Sequence, residues 1–203
     1  MGKLLRAWSF IANPVFIPAL VSLWYFNYAD IFDPEKARLK LYLITILTAA
    51  IPLLLYLVLK VLKVVRSIHL SSPQERIVPL LIYSGILVIL LKSVFADGQH
   101  MLLYYFFLGV LIATMVATVL SVTKYKISLH MMAMGGMIGY AIALTLISGV
   151  NLIVLIIILS IASGLTASSR LFMKAHVGHE LVFGFLLGTV SQLLVTTYYV
   201  NAF

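Results

Sequence analysis

The 203-residue chain contains no cysteine, and only 10% of its residues are charged. The absence of cysteine excludes disulfide bonds and thiolate chemistry, and it leaves the cellular compartment open. Charge is scarce along the whole chain, so no polar block is long enough to fold as a separate soluble domain. Apolar residues make up 63% of the sequence, well above their share in an average soluble domain. These proportions indicate a single integral membrane domain over residues 1–203.

Acidic residues are scarcer than basic ones, with 6 Asp and Glu against 14 Lys and Arg, and the net charge is +8. A basic chain can bind nucleic acid. In a membrane protein, however, the same surplus is explained by cytoplasmic loops that lie next to anionic lipids. We therefore expect membrane lipids, and no nucleic acid, among the partners.

Apolar segments recur at about the 20 residues needed to cross a bilayer. The first one follows basic residues, as in a signal peptide, but its length and the lack of a small-residue cleavage pattern favour a retained span. Pro14 and Pro18 are expected to kink it. The sequence predicts an all-α polytopic membrane bundle with six to seven transmembrane helices, near residues 8–27, 39–62, 78–96, 101–122, 129–149, 151–167 and 179–200.

Ionisable side chains concentrate between the last two apolar segments, from Ser168 to Glu180. If the last helix begins near Lys174, His176 and Glu180 lie one turn apart, and the carboxylate can orient the imidazole. This is the geometry of an activated nucleophile. Arg170 offers the planar set of donors that suits phosphate, and a helix start adds free backbone N–H groups. The stretch indicates an anion-binding site that contains a histidine.

The spacing S-R-x5-H-x3-E, from Ser169 to Glu180, resembles the third motif of the type-2 phosphatidic acid phosphatase superfamily, S-R-x5-H-x3-D. Glutamate stands here in place of the usual aspartate. The family's second motif, P-S-G-H, has a looser counterpart that ends at His130 and keeps the serine and the histidine. In the first motif, K-x6-R-P, Arg76 matches the arginine, while His69 occupies the lysine's position and the proline is displaced. The resemblance covers roughly residues 69 to 190.

The resemblance implies a metal-independent membrane phosphatase with no cofactor. In this interpretation His176 attacks phosphorus to form a phosphohistidine, Glu180 orients His176, and His130 protonates the leaving oxygen. The phosphate oxygens are held by Arg170 and Arg76, with Lys126 or His69. A substrate that presents its phosphate at the membrane interface is required, so we expect a lipid phosphate or a polyprenyl diphosphate.

Counting crossings places the three motif segments on one membrane face, because each of them follows an even-numbered span. Glycine spacing favours the same convergence. Gly135 and Gly139 in the fifth span, and Gly184 and Gly188 in the seventh, form small-xxx-small pairs that let helix backbones approach closely. If these two spans pack together, they bring the two motif histidines to one place.

Two other functions fit parts of the sequence. His176, His179 and Glu180, with His130 as a fourth ligand, could bind a metal ion, although no H-E-x-x-H spacing is present and nearby basic residues would repel a cation. The degraded first and second motifs also fit a non-catalytic protein that binds or transports lipid phosphates. Transporters usually place ionisable groups or broken helices at the midplane. The only midspan candidate here is Lys92, which favours an interfacial enzyme.

Charge asymmetry predicts which side the motifs face. Ten basic residues fall on the motif face and three on the opposite face. The positive-inside rule then predicts a site on the cytoplasmic face of a bacterial or archaeal inner membrane, whereas many members of the resembled family face away from the cytoplasm. The ten are Lys3, Arg6, Lys60, Lys63, Arg66, Arg76, Lys124, Lys126, Arg170 and Lys174, and the three are Lys36, Arg38 and Lys40.

Overall fold

The computed structural model describes residues 2–28, 33–63 and 72–202, with side chains up to residue 195 and at 198. Within these ranges all regular structure is helical. Six helices are long and apolar enough to cross a membrane, which confirms the predicted all-α polytopic bundle. The helices are α1 (Gly2–Ile11), α2 (Ile17–Tyr28), α3 (Pro34–Thr45), α4 (Ile51–Val61), α5 (Pro73–Ser93), α6 (Met101–Val122), α7 (Leu129–Ser148), α8 (Ile153–Phe172) and α9 (Gly178–Ala202).

A π-helical turn at Ile46–Ala50 joins α3 to α4, and together they form one spanning segment, Pro34–Val61. Side-chain caps set the starts of α5 and α7. The hydroxyl of Ser72 accepts a hydrogen bond from the Glu75 amide, and that of Ser128 accepts one from the Met131 amide. Each cap satisfies one of the free N–H groups of a first turn. The caps therefore fix the first turns of α5 and α7, which carry Arg76 and His130.

The first predicted span, 8–27, is not one continuous helix. Helix α1 ends at Ile11 and α2 begins at Ile17, with Pro14 in the irregular stretch between them. Proline lacks an N–H and disfavours helical backbone in the residue before it. The expected kink is thus a complete interruption of the helix.

The interrupted segment still extends from one end of the bundle to the other. Gly2 packs against the Phe172 ring at the end of α8, and the Phe26 ring lies 5.1 Å from the His100 ring just before α6. Phe172 and His100 are at opposite ends of their neighbouring spans. As a result, α1 lies at the motif end of the bundle.

One helix boundary near the motif residues differs from the predicted spans. Helix α8 continues to Phe172, beyond the expected residue 167, and so includes Arg170 in its last turn. The last helix begins at Gly178, within one residue of the predicted span 179–200, and not near Lys174, the start considered for the spacing of His176 and Glu180. Lys174 adopts a left-handed conformation with φ 51°, and the next amide donates to the Arg170 carbonyl at 3.1 Å. Such a left-handed residue ends a helix and turns the chain.

Helices α7 and α9 approach each other closely through their glycines, as the sequence predicted. A Cβ atom at Gly139 would lie 2.7 Å from the Thr189 carbonyl oxygen, and one at Gly184 would lie 2.5 Å from the Ser128 carbonyl oxygen. At Gly188 it would overlap the Met132 carbonyl oxygen. Because these neighbours are backbone atoms, only glycine allows the observed contact. The seam aligns the first turns of α7 and α9, which carry motif residues.

The glycine seam yields a stability prediction. Gly188→Ala forces a methyl group against the backbone of α7, so we expect a loss of roughly 1–3 kcal/mol, the range for overpacking. The measurement is thermal unfolding in detergent. Gly164→Ala is the matched control, because a Cβ there meets nothing within 4 Å and alanine favours the helix. Equal melting temperatures for the two variants would contradict the close packing of α7 on α9.

Candidate functional site

Six of the seven predicted site residues lie in the described part of the chain, and all six are at the motif end of the bundle. The seventh, His69, lies outside the described residues. The six residues come from three places along the chain. Arg76 is in the first turn of α5, and Lys126 and His130 lie just before and at the start of α7. Arg170 is in the last turn of α8, His176 follows that helix, and Glu180 is in the first turn of α9.

Hydrogen bonds from two cations join the first turn of α5 to the connections before α7 and α9. Arg76 Nη1 donates to the Ile127 carbonyl oxygen at 2.6 Å, which ties α5 to the connection before α7. Lys126 Nζ donates to the Ala175 carbonyl oxygen at 2.7 Å, which ties that connection to the one before α9. The convergence expected from counting crossings is therefore observed.

His176 and Glu180 form the closest polar contact of the site. The Nδ1 atom of His176 lies 2.6 Å from Glu180 Oε2. His176 had been considered as part of the last helix, but it precedes α9, which starts at Gly178. The carbonyl oxygen of Glu180 accepts a hydrogen bond from the Ser128 amide at 3.0 Å. The carboxylate is thus fixed relative to α7, and it fixes the imidazole in turn.

His176 is buried and neutral. Burial, together with the positive charges of Arg76, Lys126 and Arg170, lowers the pKa of His176 to about 3. A neutral imidazole has one N–H, and the contact with a carboxylate places that proton on Nδ1. The lone pair is then on Nε2, which makes no hydrogen bond to any described residue. His176 has the protonation state of a nucleophile at neutral pH.

Three cations surround a single carboxylate. Arg76 and Arg170 are each only 3% exposed. Burial also lowers the pKa of Lys126, an effect that the charge of Glu180 opposes and those of Arg76 and Arg170 reinforce. Buried positive charge is costly unless it is paired. The surplus of positive charge over Glu180 makes this end of the bundle suited to an anion.

Arg170 has donor capacity left over. Its Nη1 atom donates to the Ser9 hydroxyl at 2.7 Å, while its Nε atom is buried without a hydrogen-bond partner among the described residues. A buried guanidinium N–H that lacks a partner costs about 1–3 kcal/mol. An oxygen of a bound anion would relieve that cost.

His130 also contacts Ser9. The Nε2 atom of His130 lies 3.2 Å from the Ser9 carbonyl oxygen. No motif contains Ser9, and a lone serine in an apolar segment carries no sequence signal of a site. Sequence reasoning missed this residue because its position depends on how α1 packs in three dimensions.

The metal alternative gains no geometric support. His179 is exposed, and its ring faces the Tyr125 ring at 6.2 Å, away from His176 and Glu180. Among the described residues, no three His, Asp or Glu side chains are grouped as metal ligands would be.

An apolar cavity of about 70 Å³ lies beside the site. Leu129 and Met132, which flank His130 on α7, line one end of it, and Gly136 lies one turn further along the same helix. At 1.5 Å per residue, the stretch of α7 from Leu129 to Gly136 is roughly 10 Å long. Pro14 in the interruption and Ile17 and Pro18 in the first turn of α2 also line the cavity, as does Gln192 of α9. The cavity therefore extends into the bundle from the first turn of α7, which also carries His130.

Comparison of the chain with protein-family models, curated proteins and solved structures finds no match.

Proposed function

We propose that this membrane protein is a phosphatase that hydrolyses a lipid phosphate or a polyprenyl diphosphate through a phosphohistidine intermediate. The observation that carries the proposal is the neutral imidazole of His176, held by Glu180 at 2.6 Å. Burial, reinforced by the positive charges of Arg76, Lys126 and Arg170, lowers the pKa of the ring. The arrangement combines an oriented nucleophile with a cationic site for phosphate, as the resemblance to the type-2 phosphatidic acid phosphatase superfamily implies.

In the first step, the Nε2 lone pair of His176 attacks phosphorus in line with the leaving oxygen. A P–N bond forms while the P–O bond to the lipid breaks, and His130 donates a proton to the departing oxygen. The hydrogen bond from Nδ1–H to Glu180 stabilises the positive charge that the imidazole gains. Release of the lipid alcohol, or of the polyprenyl monophosphate when the substrate is a diphosphate, leaves phosphohistidine in the site.

In the second step, water attacks phosphorus and the P–N bond breaks. The electron pair of that bond returns to Nε2 of His176, and a proton of the water passes to His130, which restores both groups. The transferring phosphoryl group carries charge spread over its oxygens, so positioning and electrostatic stabilisation supply most of the catalysis. Arg76, Arg170 and Lys126 provide that stabilisation in the proposed route, which uses no metal ion.

The cavity supports a substrate with a hydrocarbon chain. Its wall is mostly apolar and begins at Leu129 and Met132, on either side of His130. A chain attached to a phosphate in the site could enter the cavity and bury apolar surface, at about 0.8 kcal/mol for each CH₂ group. A soluble phosphate ester gains none of this energy.

We further propose that the site faces the cytoplasm from a bacterial or archaeal inner membrane. The packing of Gly2 on Phe172 puts the N-terminal basic residues at the motif end, which supports the predicted charge asymmetry. At the other end, Lys40 is paired with Asp97 at 2.7 Å. Arg66 lies outside the described residues and adds nothing to this argument.

The proposed function is tested with purified protein and a panel of lipid phosphates. Wild-type protein should release phosphate, and His176→Ala should release none, because the nucleophile is gone. Glu180→Gln should keep a reduced rate, since losing an orienting group slows a reaction without removing the nucleophile. His179→Ala is the matched control, a histidine in the same turn that faces Tyr125, and it should turn over normally.

The same assay distinguishes the alternatives. Activity should survive EDTA, and orthovanadate, which resembles a phosphoryl transition state, should inhibit. Loss with EDTA and recovery with zinc would favour the metal site. Binding of lipid phosphate without release of phosphate would favour a binding or transport protein, and normal turnover by His176→Ala would exclude the assigned nucleophile.

Filling the cavity should change chain-length preference. Gly136 lines the cavity, and a Cβ there meets nothing within 4 Å, so Gly136→Leu can occupy it without striking the backbone. Displacing about two methylene groups should raise KM for long-chain substrates roughly tenfold and leave short-chain substrates unchanged. Gly85→Leu, at another open position outside the cavity, should behave like wild type. An equal KM increase for short and long chains would refute the chain-binding role.

Sidedness can be measured because the chain has no native cysteine. Thr123→Cys at the motif end and Gln99→Cys at the opposite end introduce single thiols at exposed positions. In intact cells a membrane-impermeant maleimide should label the thiol at position 99 and spare the one at 123. Both should react after the cells are permeabilised. The reverse pattern in intact cells would place the site outside the cytoplasm.

A further inference from the structure

The end of α1 leaves the Ser9 carbonyl outside the helical ladder. The last regular bond of this helix runs from the Ala12 amide to the Trp8 carbonyl at 2.8 Å. The next donor, the Asn13 amide, belongs to the interruption before Pro14, and the chain there makes a turn, with the Phe16 amide bonded to the Asn13 carbonyl at 3.0 Å. The Ser9 carbonyl faces His130 Nε2. The Ser9 carbonyl, which lacks a partner within the helix, thus accepts a hydrogen bond from the His130 side chain.

The hydroxyl of Ser9 is also diverted from its usual partner. Serine and threonine hydroxyls in the other helices commonly donate to the carbonyl four residues earlier, as those of Ser22 and Ser121 do. For Ser9 that carbonyl belongs to Leu5, and it accepts a hydrogen bond from Ser169 Oγ at 2.6 Å. Ser9, only 6% exposed, uses its hydroxyl oxygen to accept from Arg170 Nη1.

We propose that Ser9 is a positioning residue of the site, with its hydroxyl holding Arg170 and its carbonyl holding His130. The assignment rests on the proposed function for the roles of these two partners. Anchoring Nη1 restricts rotation of the guanidinium, so that the partnerless Nε–H keeps one direction. Accepting from Nε2 of His130 orients that ring in the same way as Glu180 orients His176. One residue of α1 therefore arranges groups on α7 and α8.

The hydroxyl half of this role makes a kinetic prediction of its own. Ser9→Ala removes the hydroxyl but keeps the carbonyl, so Arg170 loses its anchor while His130 keeps its own. We expect KM to rise about tenfold, the effect of one hydrogen bond to a charged group, and kcat to change less than twofold. Ser9→Thr restores a hydroxyl and should restore KM. A purely structural role would not produce this division between KM and kcat.

Phosphate binding can be measured without turnover, because a tryptophan adjoins Ser9. The indole N–H of Trp8 donates to Thr166 Oγ1 at 2.9 Å, and Trp8 is one of 2 tryptophans in the chain. In a Trp24→Phe background, titration with inorganic phosphate should change Trp8 fluorescence. Ser9→Ala should raise the Kd about tenfold, and Ser9→Thr should leave it unchanged. Ser22→Ala, which removes an equally buried hydroxyl from α2, should bind like wild type.

The outcomes separate this inference from the proposed function. If phosphate binds with an affinity that depends on the Ser9 hydroxyl but no lipid phosphate is hydrolysed, the positioning role stands and the phosphatase is rejected. If turnover occurs and Ser9→Ala has the wild-type KM and Kd, the positioning role is rejected. Ser9→Cys, with a weaker acceptor of similar size, provides the same comparison should Ser9→Ala fail to fold. Absence of any phosphate binding in wild-type protein would overturn both.

Discussion

Concentrated positive charge at one end of the bundle is the constraint on which the site depends. Arg76, Lys126 and Arg170 would repel one another in a largely buried region, where the carboxylate of Glu180 supplies one counter-charge. Part of the compensation comes from backbone carbonyls, since Ile127 and Ala175 each accept a hydrogen bond from a site cation. Carbonyl dipoles reduce the cost of burial without cancelling the charge. The positive charge that remains uncompensated is available to a bound anion.

Backbone geometry makes these contacts possible. Two residues after the last residue of α6 and of α8, a lysine adopts the left-handed conformation. These are Lys124, with φ 64°, and Lys174, with φ 51°. Each of these lysines turns the chain within a few residues, so the carbonyls of Ile127 and Ala175 point toward the site. The glycine seam then aligns the starts of α7 and α9. Charge placement, helix ends and glycine packing therefore act together.

The features that followed from local sequence were predicted well. Long apolar runs define the spans, and the four-residue spacing of His176 and Glu180 permits their contact whether or not a helix starts between them. Glycine pairs indicated the α7–α9 seam because backbone contact requires residues without a Cβ. The catalytic and phosphate-binding roles of the site residues stay predictions until activity is measured.

The features that depend on three-dimensional packing were missed. Nothing local distinguishes Ser9 from other serines in apolar helices, because its contacts are with residues far along the chain. Arg170 was expected between the last two spans, whereas it lies in the last turn of α8, because the residues after 167 continue the helix as far as Phe172. Two prolines indicated a bend in the first segment, whereas the structure shows a complete interruption of the helix between Ile11 and Ile17.

The contacts of Ser9 have a consequence for biogenesis. They join residues 121 and 161 positions apart in the sequence, and a ribosome makes the N-terminal partner first. While the chain grows, the interrupted first segment must wait in or near the bilayer until α7 and then α8 have been inserted. The nascent protein consequently lacks the complete set of contacts around Arg170 and His130 until nearly all of it has been synthesised.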